Sequence, residues 1–302
     1  MVDPCDAPAD TEISVSRVDL RVLPEMCHMK GRNTVNQHNT LSKGPALYLS
    51  VAGHSEAGRL LERNADALVL YDLSDSQQAA RFGSLYLLAD GTGNHAAGEL
   101  ASRIAVETIP AMYYQQGDGD SPLVRLQQAF NAAHTRIREY ATLHQEYSEM
   151  ATTCTAVVIR GTRLWTAHIG DSRAYLVRAS PRSRPTITRL TTDHSMVAGM
   201  VRAGELSPEQ ARLTPDRDIF LRALGKSEED NPFPDFTMRE VRAGDVLVLC
   251  SDGLWSALAE ERLAHIVSTM PSQQACEELV RQANEAGGDE NISVIILSFS
   301  RY

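Results

Sequence analysis

Five acidic points in this chain each stand at the edge of a short apolar run. Ser84-Leu-Tyr-Leu-Leu-Ala89 runs into Asp90-Gly91, and Asp245-Val-Leu-Val-Leu-Cys250 runs into Ser251-Asp252-Gly253. Leu164-Trp-Thr-Ala-His-Ile169 leads into Gly170-Asp171. Asp66 opens the run 67–72, and Asp289-Glu290-Asn291 precedes the run 292–297. A carboxylate at the end of a buried strand is half desolvated. Several converging on one place repel by kilocalories unless they are protonated or matched by cations. Hard divalent ions with oxygen ligands, Mg2+ or Mn2+, are the usual solution. The glycines after Asp90 and Asp252 let the backbone turn sharply or offer a carbonyl to an ion. Two such ions about 3.5–4 Å apart would hold and deprotonate a bridging water, a nucleophile for phosphorus. A lone Asp-Gly is ordinary turn chemistry, and periodicity alone does not show that the five ends meet in space.

The elements that must position these residues read as follows. Strands are expected over 46–52, 67–72, 84–89, 153–160, 163–169, 173–178, 186–190, 246–250 and 292–299, all short and rich in Val, Ile, Leu, Tyr and Thr. Helices are expected over 96–109, 122–140, 195–203, 207–212, 260–267 and 272–284, the last with Ser272 as N-cap and Gly287-Gly288 beyond its end. The short turns Arg160-Gly161-Thr162 and Gly170-Asp171-Ser172 suggest antiparallel hairpins. Grouped strands and grouped helices point to α+β layers rather than a parallel sheet. Residues 1–45 read differently, as an N-terminal extension of unknown role. Ile13 to Val22 could form one strand, and Lys30 to Pro45 is either a polar linker or an ordered strand that extends a sheet.

Composition narrows the classes. The 302 residues carry 29 Lys+Arg against 39 Asp+Glu, a net charge of −10, which argues against a nucleic-acid partner. No apolar run approaches the roughly 18–20 residues of a membrane helix. Met1 to Asp10 is acidic and lacks an apolar core, so no signal peptide is expected. Five scattered cysteines without a CxxC pair fit reduced thiols in a cytoplasmic protein.

In order along the chain, these segments resemble the metal-dependent protein phosphatases of type 2C, in their bacterial serine/threonine branch. The resemblance rests on Gly58-Arg-Leu-Leu-Glu-Arg-Asn64-Ala-Asp66, Leu88-Ala-Asp90-Gly-Thr-Gly93-Asn-His95, Met150-Ala-Thr-Thr153, Ile169-Gly-Asp171-Ser-Arg173 and Leu190-Thr-Thr-Asp193-His-Ser195. Leu221-Arg-Ala-Leu-Gly225, Cys250-Ser-Asp252-Gly-Leu-Trp255 and Glu290-Asn-Ile-Ser293 continue it, so that it covers about residues 46–300. It implies a four-layer αββα sandwich of two antiparallel sheets flanked by helices, spanning residues 46–302. It also implies hydrolysis of phosphoserine and phosphothreonine by direct attack of a metal-bridging water. By resemblance, Asp90 bridges two Mg2+ or Mn2+ ions and the Gly91 carbonyl binds one. Asp252 and Glu290 complete the other, Asp171 with Asp252 forms a third, weaker site, and Asp66 orients a metal-bound water. The region 195–213 would be a flap beside the cleft. A monomer acting on phosphorylated proteins, opposite a serine/threonine kinase, is the implied setting.

The chain departs from the family pattern at four places. Leu61 stands where the family has the Arg that grips the substrate phosphate, and Ala65 replaces a carboxylate that holds a metal-bound water. Glu290 replaces an Asp, with Asp289 beside it as a substitute ligand, and Asn94 replaces a Gly. Leu61, Ala65 and Glu290 motivate a second reading, a catalytically impaired relative that binds phosphoprotein or acts as a regulatory partner. A serine hydrolase centred on Gly170-Asp171-Ser172 is disfavoured because that segment is mid-chain and a strand follows it. Asp193 reads as a cap or turn before Ser195, His168 and His194 as core or turn residues, and Trp165 and Trp255 as core.

Overall fold

A computed structural model of the chain describes residues 27–29, 37–40, 47–73, 75–93, 95–115, 120–179, 184–207, 210, 214, 219–226 and 232–301. The strands are β1 (Cys27–Met29), β2 (Gln37–Thr40), β3 (Leu47–Glu56), β4 (Asp66–Tyr71), β5 (Ser84–Thr92), β6 (Ala151–Thr152), β7 (Cys154–Arg160) and β8 (Arg163–Ile169). They continue with β9 (Arg173–Arg178), β10 (Thr186–Arg189), β11 (Asp235–Glu240), β12 (Asp245–Cys250) and β13 (Ile292–Arg301). Among the described residues one sheet runs β1-β4-β5-β7-β8-β11, with β6 added to β5, and the second runs β10-β9-β12-β13-β3-β2. Every strand pairing among the described residues is antiparallel.

Period-two alternation explains why the central strands look apolar throughout. Side chains alternate between faces, and here both faces are covered. On β5, Tyr86 and Leu88 enter the core between the sheets, while Leu85, Leu87 and Ala89 pack outward under helices. On β13, Ile295, Leu297 and Phe299 face the inter-sheet core, whereas Ile292, Val294 and Ile296 face the opposite helical layer. The helices are α1 (Ser76–Phe82), α2 (His95–Gln115), α3 (Pro122–Leu143), α4 (Met196–Ala203), α5 (Asp252–Trp255), α6 (Glu260–Thr269) and α7 (Ser272–Ala286). Ala101, Ala105 and Ile109 of α2 and Leu126, Phe130 and Ile137 of α3 pack on the first sheet. Leu263, Val267, Leu279 and Ala283 of α6 and α7 pack on the second. The layers are therefore αββα, as expected.

Several local expectations are corrected. The turn Arg160-Gly161-Thr162 closes a hairpin, β7 with β8. Gly170-Asp171-Ser172 does not, because β8 belongs to the first sheet while β9 pairs with β10 and β12 in the second. The chain crosses between sheets there, so Asp171 is carried over the end of the sandwich. Ser272 does not cap its helix: the N-cap is Pro271, and the Ser272 hydroxyl pairs with that of Ser298 at 2.8 Å. Asp193 is not a cap but an ion-pair acceptor for Arg173 (2.7 Å) and Arg189 (3.3 Å). Trp165 and His168 are buried, whereas Trp255 is half-buried beneath the Arg173 guanidinium, 3.5 Å from its ring centroid. In the N-terminal extension, 37–40 pairs with β3, which is the ordered-strand alternative at that place, and 27–29, just before the stretch for which the two alternatives were open, pairs with β4. The expected strand at Ile13 to Val22, and all but Ser207 and Gln210 of the expected helix at 207–212, lie outside the described residues.

Candidate metal centre

Antiparallel pairing of β4 with β5 sets Asp66 directly opposite Asp90. Like charges in that relation destabilise a sheet. β12 ends at Cys250, and Asp252 opens the helical turn that follows, while Glu290 precedes β13, the neighbour of β12. One cavity of about 750 Å³ is lined by Asp90, Gly91, Asp252 and Glu290, with Leu61, Ala65, Glu149, Phe220 and Lys226 on its other walls. Glu290 is among the lining residues, whereas Asp289 is exposed and is not. Asp66 and Asp171 are not among the lining residues; both are buried, and both bear on the titration of Asp90.

A lattice of small polar side chains holds these ends together. The Asp66 N–H donates to Asn64 Oδ1 at 3.0 Å, and Asn64 Nδ2 donates to Ser55 Oγ at 2.7 Å. Ser55 and Ser293 share a hydrogen bond of 2.7 Å, and the Ser293 N–H donates to Ser251 Oγ at 2.9 Å. Asn291 Oδ1 accepts from the Ala65 N–H at 2.8 Å, while its Nδ2 donates to the carbonyls of Ala57 and Arg63. The Asp90 carbonyl is fixed by the Thr152 hydroxyl and the Thr153 N–H, each at 2.8 Å. The start of α2 presses on the same strand end. A Cβ placed on Gly91 would lie 2.1 Å from the Gly98 carbonyl oxygen, and one on Gly98 would lie 2.7 Å from that of Gly91. Only glycine at both positions permits that approach. Asn291, Ser251, Ser293, Thr152 and Lys226 were not singled out as site residues from sequence. The hydroxyls at strand ends in otherwise apolar runs were the available signal.

The electrostatics follow from the crowding. Burial pushes the Asp252 carboxyl up to about 7, and Asp171 adds to it. Burial likewise takes Asp171 up to about 8, reinforced by Asp193. Asp66 rises to about 6, again from burial, which outweighs the lowering influence of the nearby Ser293 and Ser251 side chains. Asp90 is held well above its ordinary value by burial and then by the charges of Asp66, Asp252 and Asp171. Asp66, Asp90, Asp252 and Glu290 act on one another's titration, and carboxylates this crowded and this buried resist carrying their charges together.

Both Asp66 oxygens and one Asp171 oxygen are buried without a hydrogen-bond partner. Orphaned carboxylate oxygens of this kind fit a hard cation. Among the described residues no three His, Cys, Asp or Glu side chains form a closed ligand set. Mg2+ and Mn2+ do not need one, since a few carboxylates, a carbonyl and several waters suffice. The residues present therefore fit a pair of such ions, with oxygen donors throughout.

The profile of the family described as Protein phosphatase 2C matches residues 63–294. The serine/threonine protein phosphatase PstP of Mycobacterium tuberculosis is 33% identical over 256 residues, covering 85% of this chain. The chain spans about half of that relative, 46% of its length. The protein phosphatase PhpP of Streptococcus pneumoniae is 34% identical over 223 residues, covering 72% of this chain and 86% of the relative. A crystal structure of the PstP catalytic domain with two manganese ions superposes with a TM-score of 0.71 at 31% identity, covering 84% of this chain and 99% of that one.

Proposed function

Because the chain belongs to the protein phosphatase 2C family, we propose that it is a metal-dependent protein serine/threonine phosphatase that transfers the phosphoryl group directly to water. The observation that carries this reading is the gathering of Asp90, Gly91, Asp252 and Glu290 around one cavity. Those four would hold two Mg2+ or Mn2+ ions, and Asp171 with Asp252 would serve a third. Bound there, the ions supply a water acidic enough to ionise near neutral pH and positive charge for the phosphate oxygens. Asp66 offers both carboxylate oxygens, free of other partners, as acceptors that orient a water in the cavity. Asn291, Ser251 and Ser293 keep the strand ends in register while the charges change.

The substrates are phosphorylated proteins, in opposition to a serine/threonine kinase, and the chain acts as a cytoplasmic monomer. No described helix is long and apolar enough to cross a membrane, and the net charge of −10 disfavours nucleic acid. Phosphate release from a phosphothreonine peptide tests the reading. Wild type with Mn2+ should turn over, and Asp90→Asn and Asp252→Asn should each lose at least about a hundredfold in kcat/KM. Equal background rates in all three proteins would remove the enzyme reading and leave phosphoprotein binding without turnover.

A further inference from the structure

The cavity presents four carboxylates, Asp90, Glu149, Asp252 and Glu290, but a phosphate monoester is itself an anion. Among the described residues its lining includes a single cationic side chain, Lys226. Lys226 is exposed to solvent at the cavity mouth, and its ammonium makes no ion pair or hydrogen bond among the described residues. The guanidiniums nearest in sequence to the carboxylate-bearing loop do not serve here. Arg59 and Arg63 are absent from the lining, and Arg63 faces Glu99 at 3.9 Å, while Leu61 gives the wall an apolar side chain.

The backbone that presents Lys226 is tied to the strand end that carries Asp90. Leu224 exchanges two backbone hydrogen bonds with Thr152, at 2.9 and 3.0 Å. Thr152 in turn pairs with Gly91 and holds the Asp90 carbonyl through its hydroxyl. Gly225 then turns with φ +90°, its N–H donating to Nδ1 of the fully buried His134 at 3.1 Å. A Cβ at Gly225 would come within 2.5 Å of Ile137 Cγ2 and 2.8 Å of the Met150 carbonyl oxygen, so the turn is closely confined. The Lys226 Cα is therefore fixed relative to Asp90 and Gly91, and only the side chain's own rotamers are free to adapt.

We propose that Lys226 binds the phosphoryl oxygens of the substrate, as a point charge lining the same cavity as the carboxylate cluster. The inference rests on the phosphatase reading for the identity of the ligand, and it assigns the phosphate-holding cation of that site. Inorganic phosphate, titrated calorimetrically into the Mn2+-loaded protein, is the probe. Lys226→Met should weaken phosphate binding about ten- to a hundredfold, the range expected for one charge-assisted hydrogen bond lost. Lys226→Arg should stay within a few fold of wild type, and Mn2+ uptake measured separately should be unchanged in both. Equal phosphate affinity in wild type and Lys226→Met overturns the assignment. So does a loss of Mn2+ uptake that accounts for the weakened binding. Phosphopeptide turnover by the wild type is read in parallel. Turnover with no phosphate effect in Lys226→Met discards Lys226 alone, while absent turnover discards the phosphatase reading.

Discussion

A buried carboxylate and a buried imidazole answer desolvation in opposite ways, and this chain holds both within a few residues. Asp171 keeps a proton more readily than an exposed Asp, whereas His168 refuses one. His168 Nε2 faces the Thr192 carbonyl at 3.1 Å and so carries the hydrogen, leaving Nδ1 to accept from the Thr155 hydroxyl at 2.8 Å. Burial, and secondarily the neighbouring His194, pushes its pKa down to about 3. The unfolded chain takes up this proton below about 6.5, and the folded chain does not until about 3. His168 therefore favours folding fully above pH 6.5, and that contribution is lost as pH falls from 6.5 toward 3. Urea unfolding at pH 7.5 and pH 5.0 should show wild type losing about 2 kcal/mol more than His168→Asn, which keeps a donor and an acceptor but does not titrate. Equal losses in the two proteins would mean that His168 is hydrated or mobile. The identities of the carboxylates were legible at this scale. Their hydrogen-bonding partners were not, because Asn291 and Ser251 act through pairings between residues up to 238 positions apart, as Ser55 and Ser293 are.

At the scale of elements, the strands with both faces covered were read in place, since continuous apolar runs leave few alternatives, although β3 runs on to Glu56 and β5 to Thr92, past the apolar residues that marked them. β11 (DFTMRE) escaped because it is an edge strand paired only with β8, half-exposed along much of its length, and its sequence lacks an apolar run. α2 was expected to stop before Pro110 and instead continues to Gln115. Its last turns are anchored by Tyr113, whose hydroxyl donates to the Phe82 carbonyl at 2.7 Å, and by Tyr114, which donates to that of Gly83 at 2.9 Å. Tertiary contacts of this kind outweigh a local breaker. The start of the same helix controls the site, where Gly98 lies against Gly91. Gly98→Ala would bring a Cβ to 2.7 Å from the Gly91 carbonyl oxygen and 3.2 Å from the Thr92 nitrogen. The expected outcome is a loss of about 1–3 kcal/mol in unfolding free energy, with Mn2+ affinity reduced about tenfold or more as the strand end is displaced. Thermal unfolding and metal titration of the variant check the two effects. Wild-type metal affinity in a destabilised variant would mean that the strand end yields without disturbing its ligands.

At the scale of the whole molecule, two apolar sheets fix the end of the sandwich at which strands β5 and β12 finish and β4 and β13 begin. The crossing from β3 to β4 and the crossing from β8 to β9 both pass over that end, bringing Asp66 and Asp171 to it. This convergence is the part that spacing alone could not supply. The turn at Gly170 read as a hairpin, and only the sheet topology shows it to be a passage between layers. The crowded carboxylates are expected to take up dications together. Calorimetric titration of Mn2+ into metal-stripped protein measures this directly. About two ions should bind per wild-type chain, with Asp252→Asn and Asp90→Asn each losing uptake of at least one. A wild-type titration without binding heat, or asparagine variants indistinguishable from wild type, would contradict it.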